Sequence, residues 1–196
     1  MKKGLTKNLV IVLAVVFAFS ACKQPTALID GAKAAIEKVT KAGADKYAVE
    51  ELKAINDDLA KAMDEVNAQD KKFFKKFGTA KDMLTQLTTK AAELEAQIPA
   101  KVEAAKNLAL QLQGEAQTAL TEAKDLLDKA PKGKGTAKDL EALKADLTGA
   151  ETAFAEIQAA LDGSDYIAAQ DKAKSVKEKA AAIADQVKQA IEKVKR

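Results

Sequence analysis

The sequence predicts an all-α protein, an antiparallel helical bundle with coiled-coil-like packing and no β-sheet. Three observations support this prediction. Hydrophobic residues make up 47% of the chain and aromatic residues only 4%, and alanine, lysine, glutamate and leucine dominate, a composition typical of long helices. Apolar residues recur at intervals of three and four positions, which is the helical period. Glycine and proline occur mainly between these periodic segments.

The apolar series predict five helices in order, near residues 27–42, 48–69, 72–130, 137–161 and 165–195. The core positions expected in the last four are Leu52, Ile55, Leu59, Ala62 and Val66; Phe73, Phe77, Ala80, Leu84, Leu87, Ala91, Leu94 and Ile98; Leu140, Leu143, Leu147, Ala150, Phe154, Ile157 and Leu161; and Tyr166, Ala169, Ala173, Val176, Ala180, Ile183, Val187, Ile191 and Val194. Each series forms a narrow stripe, so each helix needs neighbours to stay folded.

Glycine and proline agree with these helix ends. Gly43 follows the first helix, Pro131 opens a glycine-containing interruption, and Gly163 ends the fourth helix. Pro99 lies inside the long third helix, where proline removes a hydrogen bond and disfavours helical geometry at Ile98. We therefore expect a kink or a short break at this point.

The apolar pattern also repeats within the chain. A shift of 88 residues places the series of the second helix on that of the fourth, and a shift of 89 residues places the third on the fifth. Each repeat corresponds to a helix followed by a helical hairpin, which predicts two tandem three-helix units at residues 27–98 and 99–196. Shared heptad periodicity without duplication is the alternative explanation.

The first 22 residues have the layout of a bacterial export signal. Residues 1–7 carry three lysines, residues 9–19 are uninterrupted apolar sequence, and the chain then reaches Cys22, its single cysteine. The apolar run is shorter than the about 20 residues that a spanning helix needs, and its basic start is typical of a cleaved signal. Residues 19–22 (FSAC) resemble the lipobox of bacterial lipoproteins, with phenylalanine in place of the usual leucine. This resemblance implies cleavage after residue 21 and acylation of Cys22; an ordinary signal that leaves Cys22 as a free thiol is the alternative.

On this interpretation residues 1–21 are a signal peptide and residues 22–26 form the lipid anchor and a short tether. Removing residues 1–21 leaves 29 basic and 29 acidic residues, so we expect no nucleic-acid partner. Two or more acyl chains, palmitate among them, would hold the protein on a membrane without a spanning segment. By resemblance to enterobacterial sorting, Lys23 in place of aspartate after the cysteine implies the outer membrane, with the protein facing the periplasm.

Residues 42–52 (AGADKYAVEEL) resemble a turn found in an uncharacterised family of alanine-rich helical bacterial lipoproteins. In that family a similar Ala-Gly-Ala, Tyr-Ala-Pro-Glu-Glu-Leu pattern links the first two helices, and Val49 here replaces the usual proline. The resemblance covers roughly residues 20–95. It implies a fold and a compartment but no activity, and Tyr47 is expected to close the end of the bundle.

The residue types argue against an enzyme. The chain has no histidine, and only Ser164 and Ser175 occur after the predicted signal. A serine or cysteine nucleophile would therefore lack its usual base. Zinc and di-iron ligand patterns and acidic calcium loops do not occur either. We expect a non-enzymatic protein without a cofactor or a metal site.

A basic and aromatic stretch at residues 71–77 (KKFFKKF) is the candidate interface. Basic and aromatic side chains together favour lipid headgroups or an anionic polymer. The candidate contact residues are Lys71, Lys72, Phe74, Lys75 and Lys76. The pattern favours a second interpretation, in which Phe73 and Phe77 keep the helical register in the core and the lysines form a solvated rim.

The sequence thus predicts a bacterial envelope lipoprotein with a non-catalytic structural or adaptor role and an envelope protein or peptidoglycan as partner. One alternative is a cell-wall-associated or stress-protective lipoprotein, suggested by the basic end at residues 193–196. Another is a carrier or chaperone for hydrophobic ligands, although alanine at core positions favours a filled interior over a ligand cavity. Exposed apolar stripes would also permit a homo-oligomer.

Overall fold

The computed structural model describes residues 23–131 and 136–195, and within these ranges the chain is helical with no strand. The helices in chain order are α1 (Thr26–Val39), α2 (Val49–Asp70), α3 (Gly78–Lys129), α4 (Ala137–Asp162) and α5 (Tyr166–Lys195). Their buried side chains recur at the predicted three- and four-residue intervals. The predicted all-α helical bundle is therefore confirmed.

The contacts divide the chain into two compact units at Pro99. Unit 1 contains α1, α2 and the part of α3 up to Pro99, and unit 2 contains the rest of α3 with α4 and α5. The predicted short break is absent, because α3 is continuous through Pro99. Pro99 is exposed, so water can reach the carbonyl of Glu95 that loses its N–H partner. A helix tolerates a proline on its solvated side for this reason.

The core of unit 1 combines the predicted stripes of α2 and α3 with a stripe on α1. Leu52 and Leu59 of the predicted stripe are only half-buried. The side chains without any exposed surface are Ala32, Val39, Ala44, Ala62, Val66, Phe77, Ala80 and Leu84. Large and small residues alternate in this set, which allows three helices to interdigitate.

The core of unit 2 is richer in alanine. Its fully buried alanines are Ala109, Ala116, Ala123, Ala169, Ala173 and Ala180. Because alanine presents only a methyl group, helices that meet at alanine can approach closely. The pattern did not single out Gln170, which is 7% exposed and donates from Nε2 to the carbonyl of Ala105 at 2.8 Å. This bond satisfies a polar group that would otherwise be costly to bury.

A tight connection centred on Gly43 links α1 to α2. The chain bends within Thr40–Ala44, and Asp45–Tyr47 adds one short helical turn. Gly43 has φ 106° and ψ 17°, a conformation that glycine adopts readily and other residues rarely do. A Cβ at this position would lie 3.3 Å from Cδ2 of Tyr47, so the half-buried tyrosine ring packs closely over the turn.

Replacing Gly43 by alanine is expected to lower the free energy of unfolding by about 1–3 kcal/mol, because the turn would then hold a Cβ in a strained conformation. Gly31→Ala is the matched control: it lies inside α1, with nothing within 4 Å of the added Cβ. Alanine there should raise stability by about 0.5–1 kcal/mol, since glycine weakens a helix interior. Urea denaturation followed by circular dichroism measures both variants. Equal gains in the two would contradict the positive φ at Gly43.

Candidate interface at the α2–α3 loop

The two predicted sites fall in different parts of the chain. Cys22 lies outside the described residues, together with residues 1–21 and residue 196 of the basic end, and the described chain starts one position later at Lys23. The candidate contact residues 71–76 are all described. They lie in the loop between α2 and α3, which is called the KF loop here.

Backbone hydrogen bonds shape the two ends of the KF loop. The N–H of Lys72 donates to the carbonyl of Gln69 at 3.0 Å, which continues the last turn of α2. The N–H of Lys76 donates to Oε1 of the same glutamine at 3.4 Å. Phe77 then enters the core, and its carbonyl accepts the N–H of Lys81 at 2.9 Å. The loop is thus tied to the helices on both sides.

Phe73 and Phe74 project into solvent. Their side chains are 93% and 78% exposed. The two rings meet edge to face, with centroids 5.0 Å apart and planes at 87°. Large aromatic side chains at such exposure leave apolar surface in water, which is unfavourable for an isolated domain and is typical of a contact surface.

The expectation that Phe73 packs in the core beside Phe77 is therefore wrong. The α3 helix starts at Gly78, six residues later than predicted. The four-residue spacing of the two phenylalanines imitates the helical period, but the chain must reverse between the buried Val66 and the buried Ala80. No glycine or proline before Gly78 marks that reversal, so periodicity alone could not locate it.

Four lysines accompany the two rings: Lys71, Lys72, Lys75 and Lys76. Lys75 is half-buried and its Nζ donates to Oδ1 of Asp70. The other three are exposed, and none of them forms an ion pair with a carboxylate in the described ranges. The KF loop therefore combines exposed aromatic surface with an excess of positive charge.

Ion pairs between helices give the directions of the chain in unit 1. Nζ of Lys90 lies 2.6 Å from Oδ2 of Asp58, which joins the middle of α2 to α3 in an antiparallel sense. This hydrogen bond holds the pKa of the Asp58 carboxyl below its usual range. Nζ of Lys38 lies 3.0 Å from Oε1 of Glu95, near the end of α1. Further along both segments, a Cβ on Gly43 would lie 4.0 Å from Cγ2 of Ile98. Because later residues of one segment lie beside later residues of the other, α1 runs parallel to α3.

These directions place the KF loop at the same end of unit 1 as the start of α1. In parallel helices, residues equally far before Lys38 and Glu95 lie at the same height along the helix axis. Pro25 precedes Lys38 by as many residues as Asp82 precedes Glu95, so the buried Pro25 lies at the height of Asp82. At 1.5 Å per residue, that level is about 8 Å along the helix axis from Phe77, where the loop ends. The loop and the first described residues thus share one end of the unit.

The corresponding connection in unit 2 joins α4 to α5 and differs from the KF loop in length and in composition. Only Gly163, Ser164 and Asp165 separate α4 from α5. The turn is closed by N–H groups of Gly163 and Asp165, which donate to the carbonyls of Ala159 at 3.0 Å and Ala160 at 2.9 Å. It contains no lysine and no aromatic residue. The described turn of unit 2 that corresponds to the KF loop is therefore neither basic nor aromatic.

One apolar groove in unit 2 with a bearing on the carrier alternative lies between α3 and α4. It has a volume of about 310 Å³ and is lined by Leu127, Ala130 and Leu140, with Glu141 and Lys144 among its polar side chains. The groove is open to solvent. It carries no argument for a bound ligand.

Within residues 23–131 and 136–195, no group of three or more His, Cys, Asp or Glu side chains is placed to hold a metal ion. No helix in the same ranges is both long enough and apolar enough to cross a membrane. The buried polar side chains in these ranges, Thr136 and Gln170, both make hydrogen bonds. Among the described residues, the KF loop is therefore the strongest candidate for a functional surface.

Comparison with known proteins yields no relative. No family model matches the chain, and neither a curated protein nor a solved structure matches it. The functional argument therefore depends on the residues of this chain and on their geometry.

Proposed function

We propose that this protein is a bacterial envelope lipoprotein, acylated at Cys22, whose helical units form a non-catalytic structural or adaptor element on a membrane surface. The observation that carries the proposal is the order of residues 1–22: a basic start, a short apolar run and a closing Ser-Ala-Cys. The folded part supports it by its position, since α1 begins at Thr26, four residues after the cysteine. A domain that starts so close to its acyl chains is held against the membrane.

The interior of the two units supports a non-catalytic role. The described cores are built from alanine, leucine, isoleucine and valine, with Phe77 as the largest fully buried side chain. These cores are filled with apolar side chains, so the proposed contacts with other envelope components are made by side chains at the surface. An envelope protein, peptidoglycan or a second copy of the chain is the proposed partner, and the outer membrane facing the periplasm is the proposed location.

Substituting Cys22→Ser is expected to abolish incorporation of labelled palmitate and to release the protein from the membrane fraction, because two or more acyl chains provide the stable anchor. The control adds Ser175→Cys to this variant and so restores a thiol at an exposed position on α5. No label should return. Palmitate labelling of the Cys22→Ser protein would contradict the proposal, as would a wild-type protein whose Cys22 reacts with thiol reagents.

In-cell cross-linking of the anchored protein tests the adaptor role. A defined protein or glycan adduct that disappears in the Cys22→Ser variant would support an adaptor and identify its pathway. Adducts between copies of this chain alone would instead support a mechanical, structural role. An adduct with a soluble periplasmic protein that persists without the anchor would contradict a role that depends on the membrane.

A further inference from the structure

We propose that the KF loop is a second membrane contact of this protein, which inserts Phe73 and Phe74 into the interface of an anionic bilayer. The part of this proposal that concerns orientation relative to the lipid anchor rests on the proposed function. Three features of the loop support membrane contact: the exposure of its two rings, its positive charge and its position.

Exposure gives the first reason. Phe73 and Phe74 stand 93% and 78% exposed at the tip of a loop, whereas Phe77, three residues further on, is fully buried. Transfer of a phenylalanine side chain out of water is favourable in proportion to its apolar area. Nothing in unit 1 covers the two rings within the described residues. The two rings would therefore be more stable in an apolar medium outside the domain than in water.

Charge gives the second reason. Lys71, Lys72 and Lys76 surround the rings and are exposed, while Asp70 is paired with Lys75. Lysines at a membrane surface attract anionic headgroups, and their long stems let the ammonium groups reach the headgroup level while aromatic rings lie deeper. An anionic polymer would be attracted by the lysines but would offer no apolar medium for the rings. The combination therefore favours a bilayer over a polymer.

Position gives the third reason. Pro25 and the KF loop lie at the same end of unit 1, about 8 Å apart along the helix axis. Cys22 precedes Pro25 by three residues, and an extended chain spans at most about 3.6 Å per residue, so the acylated residue would lie within about 11 Å of Pro25. Acyl chains attached there would bring the loop to the same membrane. The equivalent turn of unit 2 lacks both lysine and phenylalanine.

Depth-dependent fluorescence quenching tests the inference on the complete processed protein, purified from membranes and reconstituted into vesicles. Phe74→Cys carries an environment-sensitive fluorophore, and Ala96→Cys carries the same fluorophore as the control site, because Ala96 is exposed on α3 near the opposite end of unit 1. The vesicles contain phosphatidylethanolamine and phosphatidylglycerol, with a nitroxide quencher on the lipid acyl chains. The probe at residue 74 should be quenched by the lipid and protected from aqueous iodide, whereas the probe at residue 96 should show the reverse.

Substitutions in the Phe74→Cys protein then separate the apolar contribution of the phenylalanine ring from the electrostatic contribution of the lysines. Phe73→Ser is expected to lower the ratio of inserted to free loop by about tenfold, since it removes one buried ring. Lys72→Gln should lower the ratio by about fivefold in anionic vesicles, because one lysine near such a surface contributes about 1 kcal/mol. The effect should vanish in pure phosphatidylcholine. Lys53→Gln, an exposed lysine on α2, is the matched control and should change nothing.

An unquenched probe at residue 74 in anionic vesicles would overturn the proposal, and so would quenching that Phe73→Ser leaves unchanged. Protection from iodide by purified cell-wall polymer, without quenching by lipid, would overturn it in favour of a polymer site. The mass of the purified protein reports the acylation of Cys22 separately. If the acyl chains are absent, the proposed function fails while the loop is still judged by vesicle co-sedimentation, which Phe73→Ser must reduce.

Discussion

Phe77→Ala is expected to lower the free energy of unfolding by about 3–5 kcal/mol, the usual cost of deleting a large buried aromatic side chain. The Phe77 side chain has no exposed surface and heads the set of largest fully buried side chains. It also closes the core where the chain leaves the KF loop, so the cavity left behind would open at the end of unit 1. Guanidinium denaturation followed by circular dichroism measures the change.

Phe73→Ala is the matched control for this substitution. It removes the same side chain from a position only four residues earlier, yet one that is 93% exposed. Its expected effect is within about 0.5 kcal/mol, as for surface substitutions in general. Similar losses in the two variants would contradict the start of α3 at Gly78 and would favour the helical register that places both rings in the core.

Ala180→Leu is expected to destabilise unit 2 by about 1–3 kcal/mol, because extra methyl groups in a well-packed core force neighbouring side chains or helices to move. Ala180 is fully buried on α5 and belongs to the core cluster of unit 2. The next residue, Ala181, is exposed and provides the control. Ala181→Leu should change stability by no more than about 0.5 kcal/mol.

The same pair of variants bears on the hydrophobic-carrier alternative. A filled interior cannot accept the leucine at residue 180 without strain, whereas a ligand cavity could hold it. Thermal unfolding of the two variants would show the difference as a lower Tm for Ala180→Leu alone. Unchanged stability in both would contradict a closely packed alanine core and would make a lipophilic-ligand assay the next step.

The helical architecture could be predicted because apolar residues along the whole chain specify it. Each buried stripe is specified by many residues, so single departures such as the half-buried Leu52 and Leu59 do not change the result. Of the kink or short break expected at Pro99, the break is absent for a local reason: Pro99 lies on the exposed side of α3, where water can reach the carbonyl that loses its N–H partner. The sequence of a single turn does not report its solvent exposure.

The candidate interface could be recognised from its residues but not from its geometry. The KKFFKKF segment is unusual enough in composition to be singled out, yet its phenylalanines have the same spacing whether they lie on a helix or in a loop. Gln170 was missed altogether, since its role depends on a carbonyl of α3 that is 65 residues away in sequence. Such pairs arise only when helices pack.

The helical class, the spacing of the core positions, the end of the first helix near Gly43 and the lipobox-like order that ends at Cys22 can all be read from the chain alone. These properties follow from local chemistry and from periodicity, which act within a few turns of one helix. The packing of the helices, in contrast, sets how far the reversal between α2 and α3 extends, exposes Phe73 while it buries Phe77, and brings the KF loop to the end of unit 1 where α1 starts. The physical reason is that burial is a property of three packed helices, and no one helix contains the information about which of its residues its neighbours will cover.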